Sequence, residues 1–307
     1  MATWQHYLQP TSLAEALQCL QSAPGRAKII AGGSDLLIDI QQGRHPPVDT
    51  LVDVTGIPEL RALRVEDDHL FLGAALTHFE IVSSPLLQHH ARALVHASAL
   101  IGGPQVRNLA TIGGNVAHGL PAGDGTIALL ALDAQAQIAG PQGVRWLPLE
   151  QLFLGPGQTI LSAGQDLLLG FRLPLLGPGE ASAFWRVMRP QGVAIAILNM
   201  GLWLRLGNPA GCVEDIRLAA CPAGPTPFRA RRTEAILRGR PLERLLDAET
   251  IALAAEEFLA EARLRTSPHR ATAEYRRRLA PVILRQVLEN ARATLAPDAG
   301  AAPAATR

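Results

Sequence analysis

The sequence predicts an α+β protein in two parts, and three observations carry that prediction. Up to residue 176, stretches with helical spacing of apolar residues alternate with short apolar runs bounded by turn residues. Beyond the turn cluster Leu176-Gly177-Pro178-Gly179, strand-like runs follow one another, and after them the pattern is helical only. Glycine pairs punctuate the first part at 32–33, 102–103 and 113–114, where backbone must turn tightly or approach something closely. With 307 residues, 48% of them hydrophobic and 18% charged, the chain is long enough for two cores.

The elements can be justified in order. Ser12 and Glu15 have capping-box spacing, and Leu13, Ala16, Leu17 and Leu20 share one face, so 11–20 is a helix stopped by Pro24-Gly25. Residues 28–31 form a short strand that runs into Gly32-Gly33-Ser34-Asp35, with a short helix at 36–40. Strands at 50–54 and 70–75 follow, separated by the turns Gly56-Ile57-Pro58 and Glu66-Asp67-Asp68. A short helix at 77–83 ends at Ser84-Pro85, and 86–101 reads as one longer helix. A hairpin pairs 135–139 with 144–148, a helical segment covers 149–153, and 166–174 is a strand. In the second part, 182–189, 194–206 and 212–221 read as an antiparallel meander, followed by helices at 227–237, 249–264 and 274–295. No internal repeat is present, and the composition of 296–307 is that of a disordered tail.

Composition excludes several classes of function. Lys and Arg total 28 against 27 Asp and Glu, a formal charge of +1, which removes a composition-level case for nucleic acid. The cysteines at 19, 212 and 221 have no metal-ligand spacing and are too few to hold an iron–sulfur cluster alone. His89, His90 and His96 lack a carboxylate or thiol at ligand spacing and read as helix-edge residues. No apolar run is long enough to span a bilayer and no signal pattern opens the chain, so a cytoplasmic protein without a transmembrane segment is expected. Arg229, Arg231, Arg232, Arg276, Arg277 and Arg278 form either a docking face or a solvated one.

Chemistry concentrates in 99–133. Thr111-Ile112-Gly113-Gly114-Asn115 reads as a turn whose bare N–H groups face something anionic. Asp124 then either caps the helical run after it or faces ligand hydroxyls. His118, directly after the glycine turn, is the candidate for a proton role. The second cluster, Gly32-Gly33-Ser34-Asp35, leaves a strand and enters a helix, which points amides and the positive helix end at one spot. Alone, each cluster is equally an ordinary tight turn between buried elements. Together, about eighty residues apart, they suit a diphosphate held from two sides. Neither a G-x-G-x-x-G fingerprint nor a P-loop is present.

The ordered set AGGSDLL (31–37), LGAALTHFEIVSSPLL (72–87), IGGPQVRNLATIGGN (101–115), PAGDGTIALLALDA (121–134) and SPHRATAEYRRRLA (267–280) resembles the FAD-binding medium subunits of molybdenum hydroxylases, the carbon monoxide dehydrogenase and xanthine dehydrogenase family. The resemblance spans 1–293. It implies a two-subdomain FAD-binding domain of the vanillyl-alcohol oxidase type at 1–176, divided at about 57 and 58. A C-terminal α+β domain of antiparallel sheet plus helices would occupy 177–293, with a tail at 294–307. It further implies that Ile30, Ala31, Gly32, Gly33, Ser34, Asp35 and Leu36, with Thr111, Gly113, Gly114 and Asn115, hold the FAD diphosphate region. Ile101 would line the flavin or adenine pocket, Asp124 would bond a cofactor hydroxyl, and Leu169 would sit at its rim. Trp185 stands where the family often has a lysine, the family's acidic residue is absent from the stretch 184–193, and Trp185 would stack on or beside the flavin or pack in the core.

By the same resemblance, a large partner carries the molybdenum cofactor and a small partner carries [2Fe-2S] clusters, in a dimer of heterotrimers. Electrons reach FAD from the clusters and leave to an external acceptor, and no residue of this chain is catalytic toward the substrate. The rival readings are a self-contained flavin oxidoreductase of the same fold and a cofactor-free assembly module. A chain that turns over a small substrate alone would favour the first, and a colourless chain the second.

Overall fold

The computed structural model describes residues 4–162, 164–189, 195–207 and 211–295. At its start, the Ser12 hydroxyl accepts the Glu15 amide at 3.2 Å and caps the helix Leu13–Ser22. The Glu15 carboxylate reaches back one residue further than a capping box requires, to the Thr11 amide at 2.7 Å. Strands His6–Leu8, Thr50–Asp53 and Ala27–Ile30 form a parallel sheet with Thr50–Asp53 in the middle and buried throughout. Parallel neighbours need a crossover, and the short helix Leu36–Gln41 lies on the connection from Ala27–Ile30 to Thr50–Asp53.

The second sheet is antiparallel, in the order Leu63–Glu66, His69–Gly73, Leu167–Pro174, Gln135–Gly140, Gly143–Pro148. Leu63–Glu66 escapes the sequence reading because none of it is fully buried. It closes a hairpin through Asp67 in the left-handed region, φ 52°. The helix expected at 86–101 is two helices, Pro85–His90 and Arg92–Ala99. Buried Ala91 leaves the helical region at φ −140°, ψ 47°, so both pieces turn apolar side chains to one core. Pro156 and Gly157 turn a small hairpin that pairs Phe153–Gly155 with Gln158–Thr159. His90 Nδ1 accepts the Leu176 amide at 3.2 Å, which ties this layer to the start of the second part.

The C-terminal meander is Glu180–Val187, Leu198–Leu206, Val213–Cys221 and the two-residue strand Phe228–Arg229. The helix expected at 227–237 starts only at Arg231, because Phe228 and Arg229 first pair with Ala220 and Ala219. One face of the sheet packs on helices Ala248–Glu261 and Ala273–Leu295. The opposite face packs on Arg92–Ala99 and on Asp124–Ala131, a helix whose every residue is buried. Gly201 permits this contact, since a Cβ there would lie 3.0 Å from the Ile127 carbonyl oxygen. Helix Ala273–Leu295 runs two residues into the stretch expected to be tail, and 296–307 lie outside the described residues.

The arginines that suggested a docking face do not share one. Arg229 pairs with Glu234 at 2.7 Å, Arg231 with Glu150 at 2.6 Å, and Arg232 with Glu257 at 2.5 Å. Arg278 pairs with Glu274, whereas Arg276 is 1% exposed. The exposed pairs of Arg231, Arg232 and Arg278 contribute little to stability, whereas Arg229 and Glu234 are largely buried.

One buried base makes stability depend on pH. His78 is fully buried, its Nδ1 lies 3.1 Å from Ser98 Oγ, and its Nε2 has no partner. Burial, and then the Arg107 charge, hold its pKa down from 6.5 to about 4. Between those values the unfolded chain takes up a proton that the folded chain refuses. Stability is therefore complete above the unfolded value and declines as pH falls from 6.5 towards 4, by roughly 3 kcal/mol in all. Denaturant midpoints across that range should fall for the wild type and stay flatter for His78→Gln. Equal slopes would remove His78 as the cause.

Candidate cofactor site

Where Ala27–Ile30 ends, the chain turns through Gly33 at φ +66° and enters helix Leu36–Gln41. Among the described residues the amides of Gly32, Gly33, Ser34 and Asp35 have no hydrogen-bond acceptor. Asp35 precedes the helix without capping it, and its side chain is exposed, so what it offers the turn is its N–H. Four successive unclaimed amides at a strand-to-helix junction make a concavity for an anion.

The second glycine segment differs from its expected form. Residues 111–115 are not a turn with bare amides but a capped helix start, Ile112–Ala117, with Thr111 Oγ1 accepting the Gly114 amide at 3.1 Å. The Ile112 amide donates to Leu76, Gly113 to Ala74 at 2.8 Å, and Asn115 to Thr111 at 3.0 Å. Gly113 serves close packing, because a Cβ there would meet Ala74 at 2.6 Å. Asn115 acts on its neighbour: its Oδ1 accepts the Thr126 amide at 3.1 Å and thereby caps helix Asp124–Ala131. Capping was one of the two roles the sequence offered Asp124, which makes no such bond.

The two segments do meet. A Cβ on Gly32 would lie 2.0 Å from the Leu109 carbonyl oxygen and 2.8 Å from Ala110 Cα, so backbone passes directly over backbone just ahead of Thr111. His118 Nε2 lies 4.0 Å from Asp39 Oδ2, a second approach between the same elements. A diphosphate therefore fits as a guest of the first segment's amides, walled by the second.

Asp124 is 4% exposed, and both its oxygens are engaged: Arg186 Nη1 donates to one and Asn199 Nδ2 to the other. Burial lifts its pKa, opposed by the Arg186 charge and the two hydrogen bonds. Arg186 Nη2 also donates to the Leu100 carbonyl, and Arg107 Nη1 donates to Gly102 at 2.9 Å. Two guanidiniums thus pin the backbone on either side of half-buried Ile101. The sequence reading missed Arg186 and Asn199. Their signal was present as polar residues inside otherwise apolar strands.

Strand alternation separates Trp185 from this cluster. Arg186 and Asn199 are register partners and face Asp124, so Trp185, paired with Met200, points to the other face of the sheet. It is 39% exposed there, neither a core tryptophan nor a neighbour of Asp124. The cation near Asp124 comes instead from the next residue, Arg186. Leu169 is 7% exposed and packs with Ala75, Ala139 and Leu167 in the seam against the first sheet, which is not a rim position. Residues 190–194, which include the end of the stretch that lacks the family's acid, lie outside the described residues. An open surface groove of about 460 Å³ lined by Arg61, Thr77, Phe79, Glu80 and Asn108 contains none of the expected site residues.

The first part of this α+β protein sets the unclaimed amides of 32–35 against the backbone at Leu109 and Ala110, an arrangement suited to the diphosphate of a dinucleotide, with a C-terminal sheet behind it. Comparison with known proteins gives the family. Residues 2–176 match the FAD binding domain in molybdopterin dehydrogenase, and 183–291 match the CO dehydrogenase flavoprotein C-terminal domain. The chain is 31% identical over 294 residues to the xanthine dehydrogenase FAD-binding subunit of Escherichia coli O157:H7, covering 95% of this chain and 97% of that one. It is 32% identical over 254 residues to the carbon monoxide dehydrogenase medium chain of Hydrogenophaga pseudoflava, 83% of this chain and 85% of that one. A solved carbon monoxide dehydrogenase structure from the same organism superimposes with a TM-score of 0.87 at 31% identity, over 94% of this chain and 98% of that one. The chain belongs to the FAD-binding subunits of the molybdopterin dehydrogenases, and it is an oxidoreductase subunit whose cofactor is FAD. Among the described residues no helix is long and apolar enough to cross a membrane.

Proposed function

We propose that this chain is the electron-transfer subunit of a cytoplasmic molybdenum hydroxylase, receiving electrons from the iron–sulfur clusters of a small partner and delivering them to an external acceptor. A large molybdenum-binding partner oxidises the substrate, in a dimer of heterotrimers. The observation that carries this reading is the row of four unclaimed amides at Gly32–Asp35, set against the backbone at Leu109 and Ala110. Bound FAD supplies reversible electron transfer between one- and two-electron carriers.

The chain's own residues place and surround that group. The amides of 32–35 offset the diphosphate charge, Gly32 keeps the floor free of side chain, and Ile30, Ala31 and Leu36 frame it. Thr111, Gly113, Gly114 and Asn115 build the opposite wall, with Ile101 beside it. Asp124 keeps acceptor capacity on each oxygen for a cofactor hydroxyl, since each accepts one bond from the protein. The division at residues 176 and 177 separates the cradle from the sheet that supplies Arg186. Co-expression with partner subunits, followed by quantification of FAD, iron and molybdenum per chain, tests the proposal. Stoichiometric FAD with co-eluting iron and molybdenum is expected, and a colourless chain still assembled with its partners overturns it.

A further inference from the structure

Arg276 is a buried cation with no carboxylate beside it. It stands in the first turn of helix Ala273–Leu295, is 1% exposed, and donates from Nη1 to the Pro222 carbonyl at 3.0 Å. Its Nε has no partner. Fully buried arginines are ordinarily paired, because an uncompensated charge in a poorly solvated place is costly. Here the charged neighbours share its sign. They are Arg270 and Arg265, and the remaining titratable neighbour is the Cys221 thiol, which burial keeps protonated. Arg189 adds a further guanidinium, with Nη2 donating to the Arg270 carbonyl at 3.4 Å.

Among the described residues, the acids nearest this group are already engaged. Glu274, two residues before Arg276, is turned to Arg278. Asp124, which acts on Cys221, is taken by Arg186 and Asn199. The N-terminal end of a 23-residue helix adds a partial positive charge of its own. Exposure rises from Arg276, buried, through Arg270, half-buried, to Arg265, exposed, so the cluster opens to solvent on one side. We propose that Arg265, Arg270 and Arg276 form a binding site for a phosphate-class oxyanion on the C-terminal domain.

The site is one link from the cofactor cluster. Pro222 follows Cys221, whose amide donates to Asn199 Oδ1 at 3.1 Å, and Asn199 holds Asp124. The oxyanion therefore comes either from the phosphate arm of a dinucleotide electron acceptor or from free inorganic phosphate. The charge argument itself does not depend on where FAD sits.

The test uses the FAD-loaded complex. Its unfolding midpoint is followed against sodium phosphate and against sodium chloride at matched ionic strength, and FAD content is measured in the same samples. A saturable rise with phosphate is expected, with the apparent Kd raised about tenfold or more in the Arg265→Gln/Arg270→Gln double variant and FAD content unchanged. Addition of NAD identifies the source: competition with phosphate assigns the site to a dinucleotide, and its absence assigns it to the free ion. A response no greater than that to chloride, or an equal response in the double variant, overturns the proposal. Loss of FAD from the wild-type complex would instead count against the cofactor reading, because the phosphate response is scored separately.

Discussion

Gly32→Val should weaken FAD binding sharply. The Cβ it introduces would sit 2.0 Å from the Leu109 carbonyl oxygen and 2.5 Å from its carbonyl carbon, both backbone atoms that no rotamer change can move. Overpacking of this kind costs about 1–3 kcal/mol. If the whole cost falls on the closed cradle, FAD affinity drops roughly 5- to 160-fold. Flavin released per chain after denaturation reads the first effect, and the unfolding midpoint of the apoprotein reads how much of the cost falls on folding. Gly43→Ala is the control, since it burdens a left-handed glycine at φ +66° that has open space around it. Full FAD occupancy in Gly32→Val would show that the two segments are not the jaws of the site.

Arg186→Met should be the most destabilising single change at the site. It leaves Asp124 ionised, 4% exposed and facing only Asn199, and breaking a buried pair by removing one partner costs about 3–5 kcal/mol. The pH dependence identifies the cause. Burial raises the Asp124 pKa and Arg186 pulls it back, so without Arg186 the folded carboxyl holds its proton more tightly than the unfolded one. For such a raised carboxyl, stability is present at low pH and is lost as pH rises through the folded value. The deficit of Arg186→Met relative to wild type should therefore shrink on acidification, and Asp124→Asn in the same background should recover part of it at neutral pH. A deficit independent of pH would mean that Arg186 matters through packing and through the Leu100 carbonyl instead.

Much of this protein was legible from local pattern. Capping residues, periodic apolar faces and breakers located the helices starting near Leu13, His78 and Ala273, because those signals act within one turn. The meander was legible because each of its strands is bounded by turn residues. Departures arose where a contact from far along the chain decided local form. Ala91 breaks a helix to fit a core, and Phe228 and Arg229 become strand because Val213–Cys221 offers them an edge. Thr111–Asn115 becomes a helix start once Leu76 and Ala74 take its first amides.

The order of the motifs by itself determined the family and the expectation that two glycine-rich segments serve one dinucleotide, since glycine where backbone must be bare is a chemical demand readable without coordinates. Only the tertiary structure decided how the work is divided. It left the amides of 32–35 unclaimed and spent those of 112–115 on neighbouring carbonyls and a capping hydroxyl. It turned Trp185 away from Asp124 and brought Arg186 to it by the two-residue period of a strand. Hydrogen-bond partners and sheet faces are set by residues tens of positions away, and a linear sequence does not say which of them will arrive.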